Sequence, residues 1–139
     1  MKQNTDLGLV FLRVGLGVVF VLAGFGKLTG ILGPGIQGFA GMLANLLPAW
    51  SSYVWLSWLI ALGEFLGGLG LITGTYTKWA SSGLMVIMAG AIGLVSAPMF
   101  NAADPVTVMG LIMNVNIFTS LLALFFTGAG GYSADEQYL

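Results

Sequence analysis

The chain has 139 residues, of which 58% are hydrophobic and 6% are charged, and its mean hydropathy is +0.98. This composition excludes an ordinary soluble domain and predicts an integral membrane protein. With four basic and five acidic side chains, the sequence also excludes an extended basic surface for binding nucleic acid.

The residue types that are absent narrow the chemistry further. The sequence contains no Cys and no His. Zinc sites of the usual nitrogen and sulfur type are therefore excluded, as is haem held by His or Cys. Catalysis by Ser-His-Asp or Cys-His groups is excluded as well. We predict no metal bound through protein ligands, and chemistry that uses carboxylate, basic, amide, hydroxyl or aromatic groups, or a bound organic molecule.

Four apolar segments, taken in chain order, are each long enough to cross a bilayer, which needs about 20 residues of helix. They cover about residues 7–28, 53–73, 79–97 and 105–127. Helices are expected because the lipid core offers no hydrogen-bond partner to unpaired backbone groups. We therefore predict an all-α membrane protein, a four-transmembrane-helix bundle that occupies residues 1–139 as a single domain.

A shorter amphipathic segment lies between spans one and two. Gly33-Pro34-Gly35 breaks the first helix, and apolar residues then recur at helical spacing. These residues are Ile36, Phe39, Ala40, Leu43 and Leu47. The pattern predicts a short helix in the membrane interface, which either covers a cavity or only connects the two spans.

The placement of basic residues predicts the orientation. An even number of spans puts both termini on one side of the membrane, together with Lys2, Arg13 and Lys78, whereas Lys27 lies toward the other side. Because basic residues favour the cytoplasmic side, we expect both termini on the cytoplasmic side of a prokaryotic cell membrane.

Charged residues inside the spans are the main candidates for function, because each costs about 2.5–3.5 kcal/mol at the bilayer centre. Counted at about 1.5 Å per residue, Glu64 lies about 16 Å and Arg13 about 20 Å below the outer surface, whereas Lys27 lies almost at that surface. Arg13 is thus the predicted partner of Glu64, and Lys27 the poorer one. The pair either fixes span one against span two or forms a pocket for a ligand, a proton or a quinone head group.

Two amides in span four extend this predicted polar centre. Asn114 and Asn116 lie about 13–17 Å deep, but about 200° apart around the helix, so they cannot both face one point. We therefore predict a ligand-binding site drawn from Arg13, Lys27, Glu64, Asn114 and Asn116.

Small residues form two GxxxG spacings, Gly63–Gly67 and Gly70–Gly74. Such spacings let helices approach closely. They predict close packing within the bundle or, as the less favoured alternative, a homodimer face.

Three stretches together resemble the DoxX family of small membrane proteins. They are LRVGLGVVFVLAGFGKL at residues 12–28, GEFLGGLGLITG at residues 63–74 and GAGGYSADE at residues 128–136. The resemblance covers nearly the whole chain and implies a four-helix membrane bundle. By resemblance, Arg13, Lys27 and Glu64 are the positions to carry over, and Tyr132 to Asp135 form a terminal signature.

The resemblance also implies a role. The family takes its name from proteins tied to quinone-linked oxidation of sulfur compounds, and other members are associated with membrane oxidoreductase or redox-stress systems. We therefore expect a non-catalytic, quinone- or lipid-facing subunit or accessory of such a system, which binds a quinone or another small hydrophobic ligand, or docks a redox partner protein. The alternatives are a small-solute carrier or channel, which would need a dimer, and a purely structural accessory membrane protein.

Overall fold

The computed structural model describes residues 2–47, 54–96 and 105–135, and all regular structure in these ranges is helical. The helices are α1 (Lys2–Thr29), α2 (Gly35–Leu46), α3 (Val54–Thr73), α4 (Thr77–Gly90) and α5 (Pro105–Thr127). A π-helical segment, Ala91–Ser96, continues α4. The predicted all-α class, with a short helix between the first two spans, is confirmed. The predicted span ends at Tyr53 and Ala97 lie outside the described residues.

Four helical segments are long and apolar enough to cross a membrane. They are Asn4–Thr29, Val54–Thr73, Thr77–Leu94 and Val108–Thr127. Large apolar side chains such as Phe11 and Phe126 point outward, whereas Arg13, Ser57 and Glu64 are buried. Apolar side chains on the outside and charged side chains kept within the bundle suit a surface that faces lipid. The protein is therefore an integral membrane protein.

Glycine residues set the distance between α1 and α3, which pack against each other more extensively than any other helix pair. A Cβ atom added to Gly24 would lie 2.6 Å from the backbone nitrogen of Phe65. One added to Gly68 would lie 2.8 Å from the carbonyl oxygen of Gly17. The two backbones are thus in direct contact, which only glycine permits. These contacts also fix the antiparallel register of α1 and α3.

The remaining spans complete the bundle around an apolar core. This core combines residues of α1, α3, α4 and α5, namely Leu16, Phe20, Leu71, Leu84, Met88, Leu121 and Leu124. Gly63 and Gly67 face Ile87 and Leu84 of α4, at 3.2 and 3.0 Å from an added Cβ atom. The predicted use of this GxxxG spacing, packing within the bundle, is therefore observed.

Candidate functional site

The polar centre within the spans is an ion pair between α1 and α3. Lys27 Nζ donates a hydrogen bond to Glu64 Oε2 at 2.5 Å. The Glu64 side chain is 8% exposed and that of Lys27 is 18% exposed. Pairing offsets the cost of holding each charge in a region that lipid, not water, surrounds. Part of Lys27 remains exposed at the surface of the bundle.

The direction of helical side chains explains why Lys27 and Glu64 meet. A side chain on a helix points back toward the N-terminus of that helix. Because α1 and α3 are antiparallel, Lys27 points along α1 into the bundle, and Glu64 points along α3 toward Lys27. The long, flexible stem of the lysine covers the remaining distance.

The predicted pairing of Glu64 with Arg13 is wrong. Arg13 contacts Gly74, which follows Glu64 by ten residues, so about 15 Å along the bundle separates the two charges. The prediction measured depth from the assumed ends of each span, but α1 extends well past the end of α3. The Arg13 side chain also points toward the N-terminus of α1, away from Glu64.

Helix α2 lies over the Lys27–Glu64 pair. Its apolar face is buried against α1 and α3 through Ile36, Phe39, Ala40 and Leu43. The centroid of the Phe39 ring is 5.2 Å from Lys27 Nζ, a cation–π distance. The segment therefore packs on the two spans beside the ion pair, and a cavity beneath it stays a prediction.

Arg13 belongs to a second polar group, at the end of the bundle where α3 turns into α4. Its Nη2 donates a hydrogen bond to the carbonyl oxygen of Tyr132 at 2.8 Å, and its Nη1 contacts Gly74. Gly74 has φ +70°, and a Cβ atom there would collide with Arg13 and Ser133. Arg13 is 2% exposed. Within the described ranges its Nε and Nη1 atoms have no hydrogen-bond partner.

The segment after α5 completes this second group. Asp135 accepts hydrogen bonds from the backbone N–H of Tyr76 at 2.6 Å and of Thr77 at 2.8 Å. Its own N–H donates to the carbonyl oxygen of Gly74 at 3.0 Å. No side chain at the start of α4 caps that helix, so Asp135 supplies the carboxylate that a helix N-terminus favours. We name Arg13, Gly74, Tyr76, Thr77 and Tyr132–Asp135 the Arg13 cluster.

Sequence reasoning missed this role of Asp135. Resemblance singled out Tyr132 to Asp135 but gave the segment no contact within the fold. One signal in the sequence could have indicated it. The turn before α4, Thr75-Tyr76-Thr77, contains no acidic residue that could cap the first N–H groups of the helix, so a carboxylate from elsewhere in the chain was needed. An even number of spans places the segment after the last span at the same end as that turn.

Asn116 of α5 does not join Arg13 and Glu64 in one centre. Asn116 is exposed, and its Nδ2 donates to the carbonyl oxygen of Ile112 on its own helix at 2.9 Å. Asn114 is half-buried. Helix α5 packs mainly against α4. The single polar centre predicted from depth is therefore two separate groups, the Lys27–Glu64 pair and the Arg13 cluster.

Two grooves flank these groups. One, of about 660 Å³, adjoins the Arg13 cluster and is lined in part by Asp6, Lys78 and Trp79. The other, of about 470 Å³, is apolar and runs between α3 and α4 past Gly63 and Gly67. In the part of the chain that the structure describes, no three potential metal-ligating side chains come together.

Comparison with known proteins identifies the family. The DoxX family model matches residues 8–97, a range that contains Arg13, Lys27 and Glu64. The chain belongs to the DoxX family. It is 30% identical over 145 residues to "Inner membrane protein YqjF" of Escherichia coli (strain K12), covering 98% of this chain and 95% of that DoxX relative. No solved structure matches the chain.

Proposed function

We propose that this DoxX protein is a quinone- or lipid-facing accessory subunit of a membrane oxidoreductase system, and that the Lys27–Glu64 pair binds the polar head of its ligand. The observation that carries the proposal is the position of the pair, between two membrane spans, partly exposed and beneath α2. Ionisable residues in such positions commonly mark ligand or proton pathways. A quinone suits the position, because its apolar tail stays in lipid while its carbonyl oxygens require donors.

Each residue near the pair has a defined part in this proposal. The Lys27 ammonium carries three N–H donors and gives one to Glu64, so it can also donate to a quinone carbonyl. Glu64 then accepts a hydrogen bond from the reduced head group or takes up its proton. Phe39, buried beside Lys27 Nζ, holds the ammonium in place through a cation–π contact. Asn114 and Asn116, which the sequence also predicts as binding residues, are given no role in this proposal.

The electrons would come from a docked redox partner protein. The chain has no Cys and no His to hold a redox metal, so the subunit itself would be non-catalytic. By analogy with the relative named as an inner membrane protein, we propose a prokaryotic cell membrane as the location of this protein. The proposal that both termini are cytoplasmic rests instead on the distribution of basic residues.

The two alternative functions have less support. A carrier or channel needs a polar path, but Gly17 and Gly68 bring the backbones of α1 and α3 together between Glu64 and Arg13. That contact closes the direct route between the two charged groups. A purely structural pair remains the simpler alternative, and it predicts that no defined ligand accompanies the protein.

Native mass spectrometry of gently extracted protein tests the proposal, with wild type measured beside Glu64→Gln. The matched control is Asn116→Leu, because Asn116 is exposed and bonds only to its own helix. We expect a quinone or another small hydrophobic molecule on wild type and on the control, but not on folded Glu64→Gln. Bulk lipid alone on all three proteins would contradict the proposal and favour a structural pair. The same spectra give the oligomeric state and so test the less favoured alternative of a homodimer.

A further inference from the structure

The Arg13 cluster has more hydrogen-bond donors than its present partners use. The N–H groups of Tyr76 and Thr77 both point at Asp135. Arg13 interacts electrostatically with the same carboxylate, yet its Nε and Nη1 atoms donate to no described residue. Buried donors without partners are rare in folded proteins and call for an explanation. An arginine that is 2% exposed is costly to leave partly unpaired.

These donors belong to one cluster around Gly74 and Asp135. Arg13 Nη1 lies against Gly74, whose carbonyl oxygen accepts the N–H of Asp135. Tyr76 has φ +50°, in the left-handed region. With this backbone conformation the N–H groups of Tyr76 and Thr77 both point toward the carboxylate of Asp135. Thr77 adds a buried hydroxyl that has no partner among the described residues. Asp135 is thus held as a bound anion would be, by a helix N-terminus beside a guanidinium.

We propose that the Arg13 cluster is a phosphate-binding site in which Asp135 acts as an internal, displaceable ligand. A carboxylate has two oxygens and already uses both on the two backbone N–H groups. A phosphate group has more acceptor oxygens, so it can take those two N–H groups and the unused donors of Arg13 together. The number of donors therefore fits phosphate better than it fits the aspartate.

The surroundings indicate where the phosphate comes from. The groove of about 660 Å³ gives access to Thr77 and Asp135, and Lys78 adds a positive charge at its edge. Trp79 is 78% exposed, as an aromatic residue at a membrane–water boundary would be. The phosphate is thus that of a phospholipid head group or free phosphate. Asp6 also lines the groove and opposes any anion, so its removal should strengthen binding.

The test measures phosphate binding to the full-length protein in a maltoside detergent, which carries no phosphate. Thermal unfolding is followed during titration with sodium phosphate, against sodium chloride at equal ionic strength. Wild type is compared with Asp135→Ala, with Asp135→Asn as the second variant should the first not fold. Removing the Asp135 carboxylate should make the apparent phosphate affinity about tenfold tighter. In wild type this carboxylate occupies the site in most molecules, whereas in the variant the site is vacant in all of them.

Arg13→Lys in the Asp135→Ala background keeps the charge but loses the forked donors, so it should weaken phosphate binding about tenfold. Asp6→Asn should tighten it, and Asn116→Leu should leave it unchanged. Tighter binding of dihexanoyl phosphatidylglycerol than of inorganic phosphate would identify a lipid head group, and the reverse would identify free phosphate. If neither anion binds the Asp135 variant more tightly than wild type, the proposal is overturned and Asp135 is only a helix cap.

Discussion

Helix α1 carries two basic residues inside its span, and the bundle treats them differently. Lys27 pairs with a carboxylate on the neighbouring helix, Glu64, at 2.5 Å. Arg13 finds its partners outside the spans, in the carbonyl oxygen of Tyr132 and the nearby carboxylate of Asp135. One group thus belongs to the packing of two helices, and the other joins three distant parts of the chain at one end of the bundle.

The difference teaches that depth alone does not choose partners in a membrane bundle. The ammonium of lysine is a point charge on a flexible stem, so one carboxylate within reach satisfies it. The guanidinium of arginine is a planar fork with five donors, and it needs acceptors in several directions. A bundle end, where carbonyl groups and a terminal segment meet, supplies such acceptors better than the middle of two packed helices does.

The largest loss of stability is expected for a substitution that pushes α1 away from α3. Both charged groups depend on the close backbone contact between these two helices. In Gly24→Val, the added Cβ atom would lie 2.6 Å from a backbone nitrogen that cannot move aside easily. We expect a loss of about 3 kcal/mol or more in the free energy of unfolding, because the helices must separate. Thermal unfolding in detergent measures it. Gly15→Ala, where no atom lies within 4 Å of the added Cβ, is the control and should be at least as stable as wild type.

A second, smaller effect separates the two candidate partners of Glu64. Lys27→Met leaves a buried carboxylate without its cation and should cost about 3 kcal/mol of unfolding free energy. Adding Glu64→Gln should restore most of that loss, because the amide no longer needs a counter-charge. Chemical unfolding of the single and double variants measures both effects.

The matched comparison uses Arg13→Met. Glu64→Gln should not rescue this variant, because Arg13 has no contact with Glu64 and lies about 15 Å from it along the bundle. Rescue of Arg13→Met, together with no rescue of Lys27→Met, would show that the assigned pairing is incorrect.

A third prediction concerns the Arg13 cluster alone. Asp135→Ala removes the acceptor of two N–H groups at the start of α4, so we expect a loss of about 1–2 kcal/mol in the free energy of unfolding. Amide hydrogen exchange should accelerate at Tyr76 and Thr77 and remain unchanged in α3. Uniform acceleration through both helices would mean that the cluster supports the whole bundle and not only the start of α4.

Much of the fold could be predicted from the sequence, because long apolar segments in lipid have few structural options. Composition gave the four spans, and Gly33-Pro34-Gly35 with the spacing that follows it gave α2. Resemblance to the DoxX family pointed to Lys27, Glu64 and Arg13, which do form the two charged groups. The identities of the charged residues were therefore within reach of sequence reasoning.

Their pairing could not be predicted from depth, because depth required the register of α1 against α3. That register depends on backbone contacts at Gly17, Gly24 and Gly68. Counting residues from the ends of the spans does not reveal these contacts. The direction in which helical side chains point was the unused information, since it favours Lys27 over Arg13 in an antiparallel pair. The contacts of Asp135 could not be predicted for a different reason. Its partners Thr77 and Tyr76 lie 58 and 59 positions away in the sequence, so no local pattern indicates the contact.

The smallest expected effect concerns the energetic coupling between the Lys27–Glu64 pair and the Arg13 cluster, which should be close to zero. Glu64→Gln and Asp135→Asn change groups about 15 Å apart with no shared partner, so their unfolding free energies should add within about 0.5 kcal/mol. A double-mutant cycle measures the coupling. A coupling well above that value would mean that α1 transmits changes between the Arg13 cluster and the Lys27–Glu64 pair through its rigid contact with α3. In that case a phosphate at one end of the bundle would alter ligand binding at the other, and the two proposed sites would have to be treated as one system.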